Sequence, residues 1–211
     1  GKTNVFSLGT LMKGDPKKLH NWDYDTEMVA QFGQAGGQTH RAFAGHWGGG
    51  YNFHNPWKPR LGAQYNYASG DKDPNDGKST TFQNYFPGNH ALYGFMDTTG
   101  WMNMHNPQLN FSLQPTEKLK ITADLMAFWN ATNGDAWYSS NTSTLVRPVN
   151  AAANSASRYR GAEFDLNAWY KLNPHVTLQA GYAFFMAGSY LAQTGASDNA
   201  HFGYAQLTIN F

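Results

Sequence analysis

The chain of 211 residues has no cysteine, which excludes a disulfide scaffold, a thiolate metal site and a catalytic thiol together. Charge is scarce as well: Lys, Arg, Asp and Glu make up 14% of the residues and nearly cancel, leaving +1. A nucleic-acid partner therefore has no electrostatic support. Long hydrophobic runs are missing. The longest, around Ala183–Ala187, falls far short of the roughly 20 residues that a membrane helix needs. No basic-then-apolar leader precedes Gly1, so an exported protein is expected to be a processed or truncated chain. Aromatic residues, by contrast, reach 16%, with 22 glycines beside them. That mixture suits strands and tight turns, because rings pack well on a pleated surface.

Strand-length segments of period two recur from end to end. In Ala162–Leu172 one face carries Ala162, Phe164, Leu166, Ala168, Tyr170 and Leu172, and the other Glu163, Asp165, Asn167, Trp169 and Lys171. Leu119–Asn130 sets Ile121, Ala123, Leu125 and Ala127 against Lys120, Thr122 and Asp124. Trp22–Phe32 repeats the pattern, with Asp23, Asp25 and Glu27 on its polar side, and Arg60 and Gln64 oppose Leu61, Ala63 and Tyr65. Further strands are expected over Asn4–Met12, Arg41–Phe53, Gln108–Leu113, Val176–Phe184 and a last segment running to Phe211. The glycines Gly48–Gly50 read as a bend or bulge.

The fold class expected is thus all-β, an antiparallel up-and-down transmembrane β-barrel in one domain over 1–211. A membrane protein without spanning helices must close its backbone groups in a barrel. Short turns at His54–Lys58, Gln114–Lys118 and Asn173–His175 alternate with long polar segments at Ser69–Gly100, Ala131–Tyr159 and Ala187–Asn199. Outer-membrane barrels have that asymmetry of periplasmic turns and outer loops. About nine strands are expected, whereas bacterial single-chain barrels have even numbers. The count favours a portion of a larger barrel.

Several runs carry a family resemblance: KPRLGAQYNYASGDKDPNDGK (Lys58–Lys78), FQNYFPGNHALYGFMD (Phe82–Asp97), GWMNMHN (Gly100–Asn106), LQPTEKLKITADLMAFW (Leu113–Trp129), DAWY (Asp135–Tyr138) and KLNPHVTLQAGYAFFMAGSYL (Lys171–Leu191). They resemble the alginate-export family of outer-membrane proteins. The resemblance implies the C-terminal half of a barrel with twice as many strands, and a passive pore in the bacterial outer membrane. It also implies recognition by the outer-membrane insertion machinery through the terminal Phe211.

The function expected is a porin-like channel for a polysaccharide or small polar solutes, with the lipid bilayer as its surroundings. The alternatives are a structural sheath around a protein partner and a soluble sugar-binding β-protein. The pore lining expected comprises the acids Asp23, Asp25, Glu27, Asp124, Glu163 and Asp165, the bases Arg60, Lys120 and Lys171, and Gln64. Six acids against three bases do not suit a polyanionic cargo, although Arg41, Arg147, Arg158 and Arg160 at strand ends and in loops could supply a basic rim. A folded-in outer loop is expected to constrict the bore, with Phe82, Phe86, His90 and Tyr93 as its residues. DKDPNDG (Asp71–Gly77) has the oxygen donors of a calcium loop but lacks the turn glycine and the closing glutamate. The eight histidines form no HxH or HExxH pair, so no metal site is expected. No nucleophile elbow is present and no phosphate loop, so neither catalysis nor a cofactor is expected.

Overall fold

The computed structural model describes residues 1–88, 90, 92–149 and 151–211; Asn89, in the loop expected to constrict the bore, lies outside them with Ala91 and Asn150. The strands come in chain order as β1 (Asn4–Gly14), β2 (Trp22–Ala35), β3 (Gln38–Asn52), β4 (Arg60–Ala68) and the two-residue β5 (Lys78–Ser79). β6 (Met104–Leu113) and β7 (Leu119–Asn130) are followed by the short β8 (Trp137–Tyr138) and β9 (Leu145–Arg147). β10 (Tyr159–Asn173), β11 (Val176–Ala187) and β12 (Ala200–Ile209) complete the set, with a short helix, α1 (Ser189–Thr194), before β12.

Nine long strands pair antiparallel in the order β1-β2-β3-β4-β6-β7-β10-β11-β12. The sheet is not closed, and β1 and β12 are its two edges. The fold is all-β with an up-and-down meander. Period two sets the faces: Leu166 lies opposite Ala123 on β7 and Tyr182 on β11, while Asp165 lies opposite Asp124 and Ala183.

Burial runs opposite to that of a water-soluble sheet. Phe164, Leu166 and Leu125 are 40%, 44% and 50% exposed, whereas Glu163, Asp165 and Asn167 are at most 1% exposed. Apolar side chains therefore cover the convex face, and carboxylates and amides line the concave one. Among the described residues of the nine long strands, Arg41 alone of the Lys, Arg, Asp and Glu side chains shares the convex face, opposite the exposed Phe32. Aromatic pairs stand on that face near both strand ends. Trp22–Tyr51 and Tyr51–Phe53 contact at 5.1 and 5.0 Å at the turn end. Tyr67–His105 and Trp129–Tyr159 contact at 5.0 and 5.1 Å at the loop end.

Three expectations need correction. Gly48–Gly50 holds no bulge, since β3 pairs in unbroken register with β2 and β4 through it. Its glycines clear space instead: a Cβ on Gly50 would stand 2.6 Å from the Arg60 guanidinium carbon and 2.9 Å from the Leu61 carbonyl oxygen. Gly50→Val is expected to displace Arg60 and cost on the order of 1–3 kcal/mol by overpacking. The midpoint of urea unfolding in micelles measures it, and an unchanged midpoint would show the site to be slack. The last strand ends at Ile209, not Phe211; beyond it the Asn210 amide donates to the His175 carbonyl at 2.9 Å. Finally, the loop end also holds a tight turn at Gly36–Gly37, both with positive φ, so long connections are confined to that end without filling it.

Candidate functional site

The concave face is occupied by the connection between β4 and β6. Gln31 of β2 grips its Gln83 through a reciprocal pair, the Gln31 amide nitrogen donating to the Gln83 carbonyl at 2.8 Å and the Gln83 amide donating to the Gln31 Oε1 at 2.8 Å. The Gln108 Nε2 of β6 donates to the Leu92 carbonyl at 2.7 Å. On β10, Asp165 Oδ2 accepts the Phe95 amide at 3.1 Å and Glu163 Oε1 accepts the Met96 amide at 3.0 Å. Two carboxylates at i and i+2 on one strand thus receive two consecutive loop amides. Gly94 makes the approach feasible: its φ is +96°, and a Cβ there would lie 2.4 Å from the Glu163 carboxylate.

Apolar packing seats the same loop. Phe82 and Tyr93 are nearly buried, with ring centroids 5.3 and 6.4 Å from that of Trp101, whose indole donates to the Tyr67 carbonyl at 3.0 Å. Burial, with the Glu27 charge adding to it, pushes the Tyr93 phenol well above its ordinary ionisation range. Phe86 is free of this packing and stands 95% exposed. His90 pairs with Asp97 at 2.9 Å and stacks on Phe95. Of the four residues expected in the loop, Phe82 and Tyr93 anchor it, Phe86 forms its tip and His90 braces its far side.

The wall residues expected to line a bore all lie on the concave face. Towards the turn end of β2 and β4, Asp23 takes both Arg60 Nε at 2.8 Å and an Arg60 terminal nitrogen at 2.5 Å, and Asn52 at 2.6 Å. Asp25 meets His46 Nε2 at 2.9 Å, and the other His46 nitrogen meets Asn66 Oδ1 at 2.6 Å. An amide row continues from there. Asn66 donates to Asn106, Gln64 donates to Gln108, and Asn110 donates to Asp124 at 2.7 Å. Lys120 lies 5.7 Å over the Trp169 ring, and with Lys171 and Glu117 it lines a separate cavity at the turn end.

Two cavities remain between loop and wall. The larger, about 430 Å³, has Lys13, Asp25, Glu27 and His46 on its wall side and Phe82, Tyr85, Phe86 and Tyr93 on its loop side. The smaller, about 110 Å³, is lined by Gln64, Gln108, Asn110, Asp124 and Asp165 beneath Gly94 and Phe95. Asp165 Oδ1 and Glu163 Oε2 are buried with no donor from any other residue, and the two carboxyl groups pair with each other.

Sequence reasoning misplaced Arg160. It is fully buried, donates to Asn130 Oδ1 at 2.6 Å and the Asn103 carbonyl at 2.7 Å, and lies 5.0 Å over the Trp137 ring. It cements the long connections and supplies no rim. Arg147 and Arg158 donate to loop carbonyls of Ala196 and Ala131, and Arg41 is on the convex face. In Asp71–Gly77 the carboxylates of Asp71, Asp73 and Asp76 turn back onto the amides of Asp73, Asn75 and Lys78. Those are Asx turns. Among the described residues no three His, Asp or Glu side chains converge as a metal site would require.

No curated protein matches this sequence. Residues 1–204 match the family described as alginate export, so the chain belongs to the alginate-export family, a transport family of the outer membrane.

Proposed function

We propose that the nine-stranded sheet is part of the wall of a passive channel through the bacterial outer membrane, narrowed by the loop between β4 and β6. The observation that carries this reading is the inverted burial. Phe164, Leu166 and Leu125 stay exposed while Glu163 and Asp165 are covered. Contiguous apolar surface beyond a few hundred Å² marks an interface or a membrane contact in soluble proteins. Here it extends across all nine strands, and hydrocarbon stabilises it where water would not. The aromatic pairs near both strand ends suit the two interfaces of such a band. A soluble sugar-binding sheet would place these faces the other way round.

The unpaired backbone groups of β1 and β12 must be met inside a bilayer. Further strands of a larger barrel supply that closure in this reading. The terminal Phe211 would serve recognition by the insertion machinery.

The reading predicts that the full-length protein needs detergent, shows heat-modifiable gel mobility and conducts in planar bilayers. Deleting Phe82–Met96 is expected to raise the single-channel conductance severalfold, because the described residues of that segment pack on the concave side. Extraction into water as a folded monomer would defeat the membrane reading. Silence in bilayers before and after the deletion would favour a sheath around a protein partner.

A further inference from the structure

We propose that the path between loop and wall selects small organic cations of the ammonium class, and that Asp25, Glu27, Asp124 and Asp165 set this preference; the proposal rests on the channel reading. The larger cavity joins two features that recognise such a cation. Carboxylates of Asp25 and Glu27 stand on one side, and the rings of Tyr85 and Phe86 on the other. An ammonium or guanidinium group held over an aromatic face is stabilised by the ring quadrupole, and a carboxylate opposite completes the charge match. At about 430 Å³ the cavity accommodates a solute of several non-hydrogen atoms.

The smaller cavity continues the same sign. Asp124 and Asp165 face each other directly across β7 and β10, an arrangement that repels unless a proton or another positive charge joins it. Asp165 is 1% exposed, lines that cavity and has an oxygen that no group other than the Glu163 carboxyl meets. Asp97, the next carboxylate along the loop, is paired with His90, a basic group that also lines the smaller cavity.

The opposing bases are few or already engaged. Arg60 is held by Asp23 through two nitrogens. Lys120 and Lys171 line the separate cavity at the turn end. Lys13, opposite Asp25 on the edge strand β1, and His46 are the remaining basic groups at the larger cavity. A polyuronate would have to pass Asp25, Glu27, Asp124 and Asp165 with little to offset its own charge. A narrow channel with low-dielectric walls focuses such a field.

The test uses the full-length protein in planar bilayers under a potassium chloride gradient. The expected reversal potential has the sign of potassium permeation, with potassium favoured over chloride by at least about tenfold. Choline chloride should reduce the potassium current at concentrations where a short uronate oligomer does not. Asp25→Asn with Glu27→Gln should weaken the choline block by about tenfold or more. Lys13→Gln should strengthen it. Chloride selectivity, or block by the uronate oligomer in preference to choline, would overturn the proposal while leaving the channel reading intact.

Calorimetric titration of choline into the detergent-solubilised protein separates the two claims. Choline binding that the Asp25→Asn, Glu27→Gln pair abolishes, in a protein that carries no current, would keep the site and remove the channel. Absence of both binding and block would remove the site.

Discussion

Replacing Glu163 and Asp165 together by alanine is expected to raise the mean single-channel conductance and make the open level noisy. These two carboxylates are what the turn at Gly94–Met96 rests on, through the amides of Phe95 and Met96. An ordinary hydrogen bond contributes about 0.5–1.5 kcal/mol, so losing both loosens the seat by about 1 kcal/mol at the low end. The rest of the loop keeps its hold through Gln31, Gln108 and the packing on Trp101. The alanine pair should therefore free a short segment and leave the sheet folded. Glu163→Gln with Asp165→Asn keeps a carbonyl acceptor in each place and should preserve the quiet, low-conductance level. Its conductance separates lost hydrogen bonding from lost charge. An alanine pair with intact heat-modifiable mobility and unaltered current would show that the loop is held elsewhere.

The parts of this molecule legible in the sequence are those where two solvents meet across one strand. Ala162–Leu172 announces its faces because every second residue is greasy, and the structure keeps that register from Ala162 to Tyr170 against β7. The contrast fades where the concave face packs against loops. Leu125–Trp129 reads as a continuous apolar run, and Met126 and Phe128, placed by period on the hydrophilic face, are buried at 3% and 0% exposure. Their partners arrive from afar: Phe128 and Trp137 both contact Phe185. No local pattern contains that pairing.

The site divides in the same way. The concave acids could be found by alternation alone, but their partners could not. Gln31 and Gln83 are 52 residues apart, and Asp165 and Phe95 are 70 apart. Arg160 was misread because a position next to a loop usually means solvent, whereas this loop folds back over it. The glycine run was misread because a strand glycine usually marks a bulge. Here Gly50 makes way for Arg60 of the neighbouring strand, a reason that only the register reveals.

The other large effect concerns the convex face. Leu166 is the central residue of β10 and is 44% exposed there, while Leu172, equally exposed, lies at the turn end of the same strand. Leu166→Arg is expected to cost about 2–4 kcal/mol of folding free energy in vesicles, and Leu172→Arg about 0–1 kcal/mol, because a guanidinium near the surface reaches the headgroups. In water both side chains would already be solvated, and surface substitutions of this kind shift stability by about 0.5 kcal/mol or less. The depth dependence, more than either value, therefore identifies the surrounding medium. Refolding each variant into vesicles and scoring the heat-modifiable fraction against urea measures it. Equal midpoints for the two arginines would mean that Leu166 faces no hydrocarbon. The neighbouring inward position supplies the counter-case: Asn167→Leu removes an amide whose Oδ1 accepts the Tyr204 hydroxyl at 2.8 Å. It takes that acceptor from the Tyr204 hydroxyl at a buried position, and should destabilise even though it makes the strand more hydrophobic.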